Sequence, residues 1–413
     1  MNILERLALI TAVTSLLAHI QLQVSATDAI DPLFSAQQCS TSPLVKAPDA
    51  CVADWTTSFT THECIGGFCQ YSDSGFAGSK GIAFLTTPEI GATLKTLRRV
   101  PPPTGFILDG GDIFDQREIP GKGIGLVAKR TLSRGELVIR ELPVLVVHLD
   151  AGLAMPESTR LEMQRAAVDA LPLRTKQTVW DLMGHLGGDP IEDRLETNAF
   201  GVAIGGQSVN HRALLTQTSR MNHDCRPSCI LQFDSSTLVA SVYTVQDVRP
   251  GDELTISYIP LPAVYEDRQS ATRNWGFSCS CTACMLSLED RLLSDERVRQ
   301  IQDYIGQLMT WSNGRRAGPA MAETLVQLCQ EENLTYFQGD AYRLAAHSYS
   351  GVRQRYQALR MANQALVYGR SVWGEASEKA RDMLDLMANP EKHWTWGLQS
   401  DMGVSNAEPM TGI

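Results

Sequence analysis

The chain has 413 residues, of which 43% are hydrophobic and 20% are charged, and its formal net charge is −10. This length predicts two or three domains with a sizeable buried core, and the composition argues against wholesale disorder. The acidic balance argues against nucleic acid as a direct partner, because phosphate binding needs a concentrated basic surface, whereas an acidic enzyme can attract a basic peptide.

The first 26 residues have the pattern of a secretory signal peptide. Arg6 precedes an apolar run at 7–20, and the small residues at 24–26 match a cleavage site. The run is too short to span a bilayer comfortably, so we expect no transmembrane anchor after leader removal. The alternative is an ordinary N-terminal amphipathic helix.

Residues 27–105 are rich in Ser, Thr, Gly and Pro and end near a run of three prolines at 101–103. They predict a small N-terminal module. Its four cysteines favour two disulfides in an exported chain, with three pairings open: Cys39, Cys51, Cys64 and Cys69. The sequon at 333–335 is weak support for export.

Short strands and one helical insert follow. Residues 123–129 and 136–148 predict paired strands around the turn at 133–135, and 157–186 has helical spacing around Pro172. The candidate core positions of this insert are Leu161, Ala167, Leu171, Val179 and Leu182. Three more strands are predicted at 230–233, 238–244 and 253–259.

From Leu288 to about Asn389 the pattern is helical, and we expect a helical lid or peptide-binding flank. The apolar positions that recur at steps of three or four are Tyr342, Ala345, Tyr349, Val352, Tyr356, Leu359, Ala362 and Leu366. The polar residues from 399 to 413 are expected to fray.

Three motifs carry the chemistry. They are Asn-His-Asp-Cys-Arg-Pro at 222–227, Gly-Asp-Glu-Leu-Thr-Ile-Ser-Tyr at 251–258 and Cys-Ser-Cys-Thr-Ala-Cys at 279–284. Cys279, Cys281 and Cys284 supply three thiolates for one tetrahedral ion, and Cys225 is available as the fourth ligand. The spacing predicts a closed structural zinc site, although in an exported chain the three thiols could instead form disulfides. Cys229 and Cys329 are expected to be buried, inert thiols.

Taken in order, these motifs resemble the SET domain of lysine methyltransferases, and specifically the SET and post-SET layout of the SET and MYND domain family. The resemblance covers about 115–284. It implies an α+β fold, in which the SET domain is a β-fold of short strands with a helical insert, followed by a post-SET zinc site and a C-terminal α-helical domain. The expected boundaries are 1–26 for the signal peptide, 27–105 for the N-terminal module, 106–260 for the SET domain, 261–287 for the post-SET segment, 288–395 for the helical domain and 396–413 for a flexible tail.

The resemblance also implies a pocket for S-adenosylmethionine. The glycine-rich turn at 121–126 stands where the family holds the methionine end of the cofactor, and the Asn-His motif stands where it contacts adenine and carboxylate. The catalytic tyrosine of the family corresponds to Tyr258. The cofactor residues implied by the match are Lys122, Gly123, Gly125, Glu196, Asn198, Ser219, Asn222, His223, Tyr258 and Phe277.

These residue types suit methyl transfer to a lysine-bearing protein or peptide. The reaction is an in-line displacement, so the protein must mainly align a neutral amine and exclude water. A lysine of pKa about 10.4 must first lose a proton, at a cost of about 4–5 kcal/mol at neutral pH. The Tyr258 hydroxyl can then hold the amine by polar contact. Four cysteine ligands would leave zinc no open position, so its role would be structural.

The sequence departs from the family in two places. The Asn-His motif usually ends in Pro-Asn but here ends in Pro227-Ser228, which predicts a looser segment. Residues 141–198 hold no cysteine or histidine cluster, so the MYND finger is missing.

The predicted leader conflicts with the predicted zinc site and enzyme. Export would place the thiolate ligands in an oxidising compartment and the enzyme away from cytosolic cofactor. We expect the secretory pathway or secretion, with cytoplasm or nucleus as the alternative. Three functions stay open: a protein-lysine N-methyltransferase, a non-catalytic SET-scaffold binding protein of the secretory pathway, and methylation of a small amine. The sequence does not indicate the substrate, the number of methyl groups added or the oligomeric state.

Overall fold

The computed structural model describes residues 59–94, 111–206, 208–310 and 317–401. The predicted leader, Cys39, Cys51 and most of the predicted tail lie outside these residues. In chain order the strands are β1 (Thr60–Ile65), β2 (Phe68–Asp73), β3 (Ile82–Thr86), β4 (Phe114–Ile119), β5 (Gly123–Ala128), β6 (Leu137–Glu141), β7 (Leu145–His148), β8 (Ala199–Val202), β9 (His211–Leu214), β10 (Asn222–His223), β11 (Cys229–Asp234), β12 (Val239–Thr244) and β13 (Glu253–Ile256).

The helices occupy two stretches of the described chain, one among the strands and one after them. Their bounds are Phe76–Ser79, Pro88–Leu94, Ala151–Ala154, Glu157–Asp169, Leu173–Trp180, Pro190–Asn198, Tyr265–Asn274, Leu288–Leu308, Pro319–Glu331, Gln338–Gly351, Arg355–Trp373, Glu378–Ala388 and Leu398–Asp401, with 3-10 turns at Thr218–Arg220, Thr335–Phe337 and Pro390–Lys392. The predicted combination of short strands, a helical insert and a helical C-terminal region is confirmed. Among the described residues, no helix combines the length and apolar character needed to cross a bilayer.

The strands form three sheets in the described residues. One has six strands in the order β1-β2-β3-β7-β9-β8, one has four in the order β10-β13-β5-β4, and one has three in the order β11-β12-β6. Strand β10 runs parallel to β13, and Asn222 pairs with Thr255. This pairing brings the first and second sequence motifs side by side.

The predicted pairing across the turn at 133–135 is wrong. Strand β5 pairs with β4 and β13, whereas β6 pairs with β12. Residues 136–148 also form two strands, and the second, β7, belongs to the six-stranded sheet. Between these two strands, at 142–144, the chain passes from the three-stranded sheet to the six-stranded sheet. One long apolar run therefore contributes a strand to each of two sheets.

The described part of the predicted N-terminal module is joined to the following sequence by a sheet. Strand β3 pairs in parallel with β7, so residues 82–86 share a sheet with residues 145–148. Cys64 and Cys69 face each other across β1 and β2 and form a disulfide. Cys64–Cys69 belongs to one of the three pairings that the sequence left open for the four cysteines.

The helical insert packs on the six-stranded sheet through an apolar core. Ala167, Leu171, Val179 and Leu182 are buried as predicted, and Leu161 is half-buried. They pack with Leu85, Leu145 and Val147 of the sheet among others. Pro172 precedes the second of two helices because its ring fits a helix start.

The C-terminal region is helical, but the predicted periodic positions span two helices. Gln338–Gly351 and Arg355–Trp373 are separated at 352–354, where Arg353 has a positive φ of 59°. Of the predicted positions Tyr356 is 76% exposed, whereas Ala345, Tyr349, Ala362 and Leu366 are buried as predicted. The expectation that the chain frays from residue 399 is wrong at its start, since Gln399 is buried and its Nε2 donates to the Ala317 carbonyl at 2.7 Å.

Candidate active site

Four buried cysteine thiols converge at one point, as the spacing predicted. Cys225 follows β10, and Cys279, Cys281 and Cys284 follow the helix Tyr265–Asn274. All four sulfur atoms lie within 4.8 Å of one another, and Cys225 Sγ lies 3.8 Å from Cys279 Sγ and 3.7 Å from Cys284 Sγ. Zinc–sulfur bonds of about 2.3 Å put tetrahedral ligands about 3.8 Å apart. The cluster therefore fits a zinc ion.

The protonation of this cluster is uneven because the thiols hydrogen-bond to one another. Hydrogen bonds from Cys225 and Cys279 lower the pKa of the Cys281 thiol to about 5. The guanidinium of Arg268, a fully buried residue, lies beside the cluster and donates to the carbonyls of Ala263 and Ala283. This positive charge offsets part of the negative charge that four thiolates would carry.

Tyr258 is held beside this cluster at both its ends. Its hydroxyl donates to the Met221 carbonyl at 2.6 Å, and its backbone N–H donates to His223 Nδ1 at 3.1 Å. Burial raises the pKa of the Tyr258 hydroxyl above its ordinary value. The hydroxyl therefore stays protonated at neutral pH, and its oxygen can still accept a hydrogen bond from an amine.

Both ring nitrogens of His223 are engaged within the protein. Because Nδ1 accepts from Tyr258, Nε2 carries the proton and faces Cys225 Sγ at 3.3 Å. Burial lowers the pKa of His223 to about 4, so the ring is neutral at pH 7. His223 thus ties the cysteine cluster to Tyr258. The contact of His223 with a cofactor stays a prediction. Both of its ring nitrogens already face partners within the protein, Tyr258 and Cys225.

Lys122, Gly125 and Asn222 meet around Glu253. The two Glu253 carboxylate oxygens accept from Lys122 Nζ at 2.7 Å and from Asn222 Nδ2 at 2.8 Å. A Cβ on Gly125 would lie 2.8 Å from both the Asn222 amide nitrogen and a Glu253 carboxylate oxygen. Gly123 adopts a positive φ of 75°, which favours glycine. The glycine turn and the Asn-His motif therefore meet as expected.

Asn198 and Ser219 form a separate group that supports this segment. Ser219 Oγ donates to the Asn198 carbonyl at 2.9 Å, and the buried Asn198 amide donates to the Met183 carbonyl at 2.7 Å. Glu196 lies apart, is paired with Arg212 of β9 and is about half exposed. The structure thus joins Asn198 with Ser219 and does not bring Glu196 to them.

Phe277 lies against the rings of both Tyr258 and His223. The ring centroids are 6.3 Å apart for Tyr258 and 5.9 Å apart for His223. Trp275, which the sequence reasoning missed, is closer to Tyr258 at 5.2 Å. His185 Nε2 lies 2.7 Å from the Trp275 carbonyl and so joins the insert to this aromatic wall.

Glu253 was also missed, although it stands inside the second motif. An acid inside an apolar strand opposite a Gly-x-Gly turn is the available signal, because a half-buried carboxylate needs donors nearby. The aromatic-glycine-aromatic spacing at 275–277 is the corresponding signal for Trp275.

Ser228 is well held rather than loose. Its buried Oγ accepts from the Thr255 backbone N–H at 2.9 Å, and its backbone N–H faces Thr255 Oγ1 at 3.2 Å. Serine thus fills its place with a short hydrogen bond to β13, and the expectation of a looser segment is wrong.

Comparison with known proteins decides the family of this region. The family model described as "SET domain" matches residues 123–259. These residues form a SET domain. The match contains Gly123 and Gly125 of the glycine turn, the Asn-His motif, Glu253 and Tyr258, while the cysteine cluster is completed just beyond it.

Curated relatives of the SET domain carry methyltransferase names. "Histone-lysine N-methyltransferase set5" of Schizosaccharomyces pombe is 26% identical over 47% of this chain and 57% of its own length. "N-lysine methyltransferase SMYD2" of Rattus norvegicus is 32% identical over 23% of this chain and 22% of its own length. "Histone-lysine N-methyltransferase SET5" of Meyerozyma guilliermondii is 33% identical over 22% and 20% respectively. The chain thus spans little more than half of the first relative and about a fifth of the others.

Proposed function

We propose that the chain is an S-adenosylmethionine-dependent protein-lysine N-methyltransferase. The observation that carries the proposal is the packing of Tyr258 against His223, Phe277 and the four-cysteine cluster inside a SET domain. The names of the relatives support it.

The residues of the site fit the cofactor and the zinc ion. Asn222 and Lys122 offer polar groups beside a glycine turn into which no Cβ fits at Gly125. Phe277 and Trp275 offer aromatic surface that suits adenine. Cys225, Cys279, Cys281 and Cys284 would hold zinc in a closed structural site. S-adenosylmethionine, when bound, supplies a methyl group on a sulfonium centre.

The chain's own residues then position the acceptor. The Tyr258 hydroxyl is anchored on Met221, and its oxygen can accept an N–H of the lysine amine and so orient the nitrogen lone pair. The aromatic groups around Tyr258 exclude water, which favours the neutral amine over the ammonium ion. Its raised pKa makes the hydroxyl a positioning group at neutral pH.

The test is Tyr258→Phe beside the matched control Tyr243→Phe, which removes a hydroxyl from β12. We expect Tyr258→Phe to lower the rate of methyl transfer by about 10²-fold or more, because only positioning is lost, while the Kd for S-adenosylmethionine changes little. Radiolabelled transfer and calorimetric binding measure the two quantities. Full activity in Tyr258→Phe would show that the assigned role is wrong.

We also propose that the protein enters the secretory pathway. The disulfide between Cys64 and Cys69 supports this compartment, and so does the leader pattern at 1–26. The disulfide equally favours the second candidate function, a non-catalytic SET scaffold that binds a partner there. Cleavage of the leader and glycosylation at Asn333 on expression with microsomes would support export. An uncleaved, unglycosylated chain would favour the cytoplasm or nucleus.

A further inference from the structure

Three metal-ligand side chains from three segments meet in the C-terminal helical region. His347 lies on the helix Gln338–Gly351, Asp382 lies on the helix Glu378–Ala388, and His393 follows the turn Pro390–Lys392. One ligand atom from each lies within 4.8 Å of the others. Both imidazoles are buried, and the Asp382 side chain is 23% exposed.

We propose that the His347–Asp382–His393 cluster binds a divalent transition-metal ion such as Zn²⁺, at a site separate from the four cysteines. Two imidazoles and a carboxylate form a ligand set that suits zinc and similar ions. His347 Nε2 lies 2.6 Å from one Asp382 oxygen, and His393 Nε2 lies 3.1 Å from the other. Ligand atoms around zinc are about 2.9–3.4 Å apart at bond lengths of about 2.0–2.1 Å, so the longer of these contacts already has this spacing and the shorter contact must open by a few tenths of an ångström.

The surroundings of His393 turn its Nε2 lone pair toward the cluster. The Thr395 hydroxyl donates to Ser350 Oγ at 2.7 Å, so its oxygen accepts from His393 Nδ1 at 2.8 Å. The Thr395 backbone N–H also faces Nδ1, but at 3.4 Å this contact is weaker. With its proton on Nδ1, His393 presents the lone pair of Nε2 to the Asp382 carboxylate. A cation between these two acceptors removes their repulsion, and such an outer hydrogen bond is usual for metal-bound histidine.

The Asp382 carboxylate contacts both imidazoles. Trp394 Nε1 also donates to the carboxylate at 2.8 Å. A buried carboxylate and two imidazoles thus attract a cation. The partial exposure of Asp382 provides its route from solvent.

The experiment compares Asp382→Asn with Asp385→Asn, which removes the same charge three residues further along the same helix and outside the cluster. The full chain and both variants are dialysed to equilibrium against a zinc buffer, and bound zinc is counted by elemental analysis. We expect the wild type and Asp385→Asn to bind about one more zinc ion per chain than Asp382→Asn. Equal zinc in all three proteins, each shown to be folded by circular dichroism, would overturn the site.

His347→Gln is a second variant that tests the same cluster if Asp382→Asn fails to fold. Glutamine can still donate a hydrogen bond to Asp382 but is a poor zinc ligand. If a metal is bound, the wild type carries about one zinc ion more than His347→Gln, and zinc raises the Tm of the wild type by more than that of the variant, which keeps only the four-cysteine site. If the cluster is only a hydrogen-bonded triad, zinc counts and zinc responses of the two proteins are the same, and the proposal fails. Neither readout depends on methyl transfer, so this result is independent of the proposed function.

Discussion

Tyr258 shows how two distant motifs depend on each other at the level of single residues. Its hydroxyl and its backbone N–H bind to Met221 and His223, which flank Asn222. The position of the hydroxyl is therefore set by the same short segment that carries the predicted cofactor contact. Motif order indicated that these residues would meet. The hydrogen bonds that join them depend on the parallel pairing of β10 with β13, which one sequence does not reveal.

Gly125→Ala tests the contact between the glycine turn and the Asn-His motif. The added Cβ would lie 2.6 Å from Ile119 Cγ1 and 2.8 Å from Asn222 Nδ2, so Asn222 must shift. Overpacking of this kind costs about 1–3 kcal/mol, and we expect the affinity for S-adenosylmethionine to fall about 10-fold or more. Calorimetric titration measures it. Gly152→Ala, at a position with open space around the Cβ, is the control, and equal affinity in the two variants would contradict the account.

At the level of strands and helices, local pattern predicted where elements lie better than how they join. The strands at 229–244 and the buried face of the insert match the prediction, because turn residues and apolar spacing are local signals. The partner of β5 is β4, which precedes it across the Pro-Gly-Lys turn at 120–122. The C-terminal spacing does not reveal the helix break at 352–354, because apolar residues continue at steps of three or four across Gly351.

A pair of neutral histidines makes the six-stranded sheet sensitive to acid. His148 and His211 lie opposite each other on β7 and β9 with ring centroids 4.6 Å apart. Burial, followed by the charge of His148, lowers the pKa of His211 from 6.5 to about 3. Its folded pKa is depressed, so its contribution to stability is complete above pH 6.5 and is lost as pH falls toward 3.

We therefore expect the free energy of unfolding to fall by about 2 kcal/mol through His211 between neutral pH and about pH 5. Urea titrations across this range measure it. His211→Gln should be less stable at pH 7, where it loses the bond to Thr86, but should show a flatter pH dependence. His62→Gln changes an exposed histidine and should keep the wild-type slope. An unchanged slope in His211→Gln would refute the assignment.

Over the whole molecule, one buried ion pair joins the SET domain to the C-terminal helices. Arg226, next to the cluster ligand Cys225, pairs with Glu332 at 2.6 Å, and both side chains are nearly inaccessible to solvent. Glu332 also accepts from Ser294 Oγ at 2.7 Å and pairs with Arg297 at 2.6 Å. The ion pair therefore links the helical region to the residue next to the cluster ligand Cys225. The sequence predicted both regions but not this link, since neither charge belongs to a local pattern.

Glu332→Ala should weaken this link strongly. Removing one partner of a buried pair leaves the other charge uncompensated, at a cost of about 3–5 kcal/mol. We expect a lower midpoint in urea and a separation of the unfolding transition into two steps. Glu331→Ala, at the exposed neighbouring position, should behave like the wild type. A single transition with an unchanged midpoint in Glu332→Ala would show that the pair does not couple the regions.

The central claim, that this SET domain methylates lysine, is tested most directly by the identity of the labelled product. The zinc-loaded chain from residue 27 onward is incubated with S-adenosylmethionine that carries a labelled methyl group and with proteins of a whole-cell extract. The labelled proteins are then hydrolysed to amino acids. We predict label in methylated lysine and about 10²-fold less, or lower still, with Tyr258→Phe. A folded, cofactor-binding protein that places no label in lysine, or places it equally with Tyr258→Phe, would contradict the account.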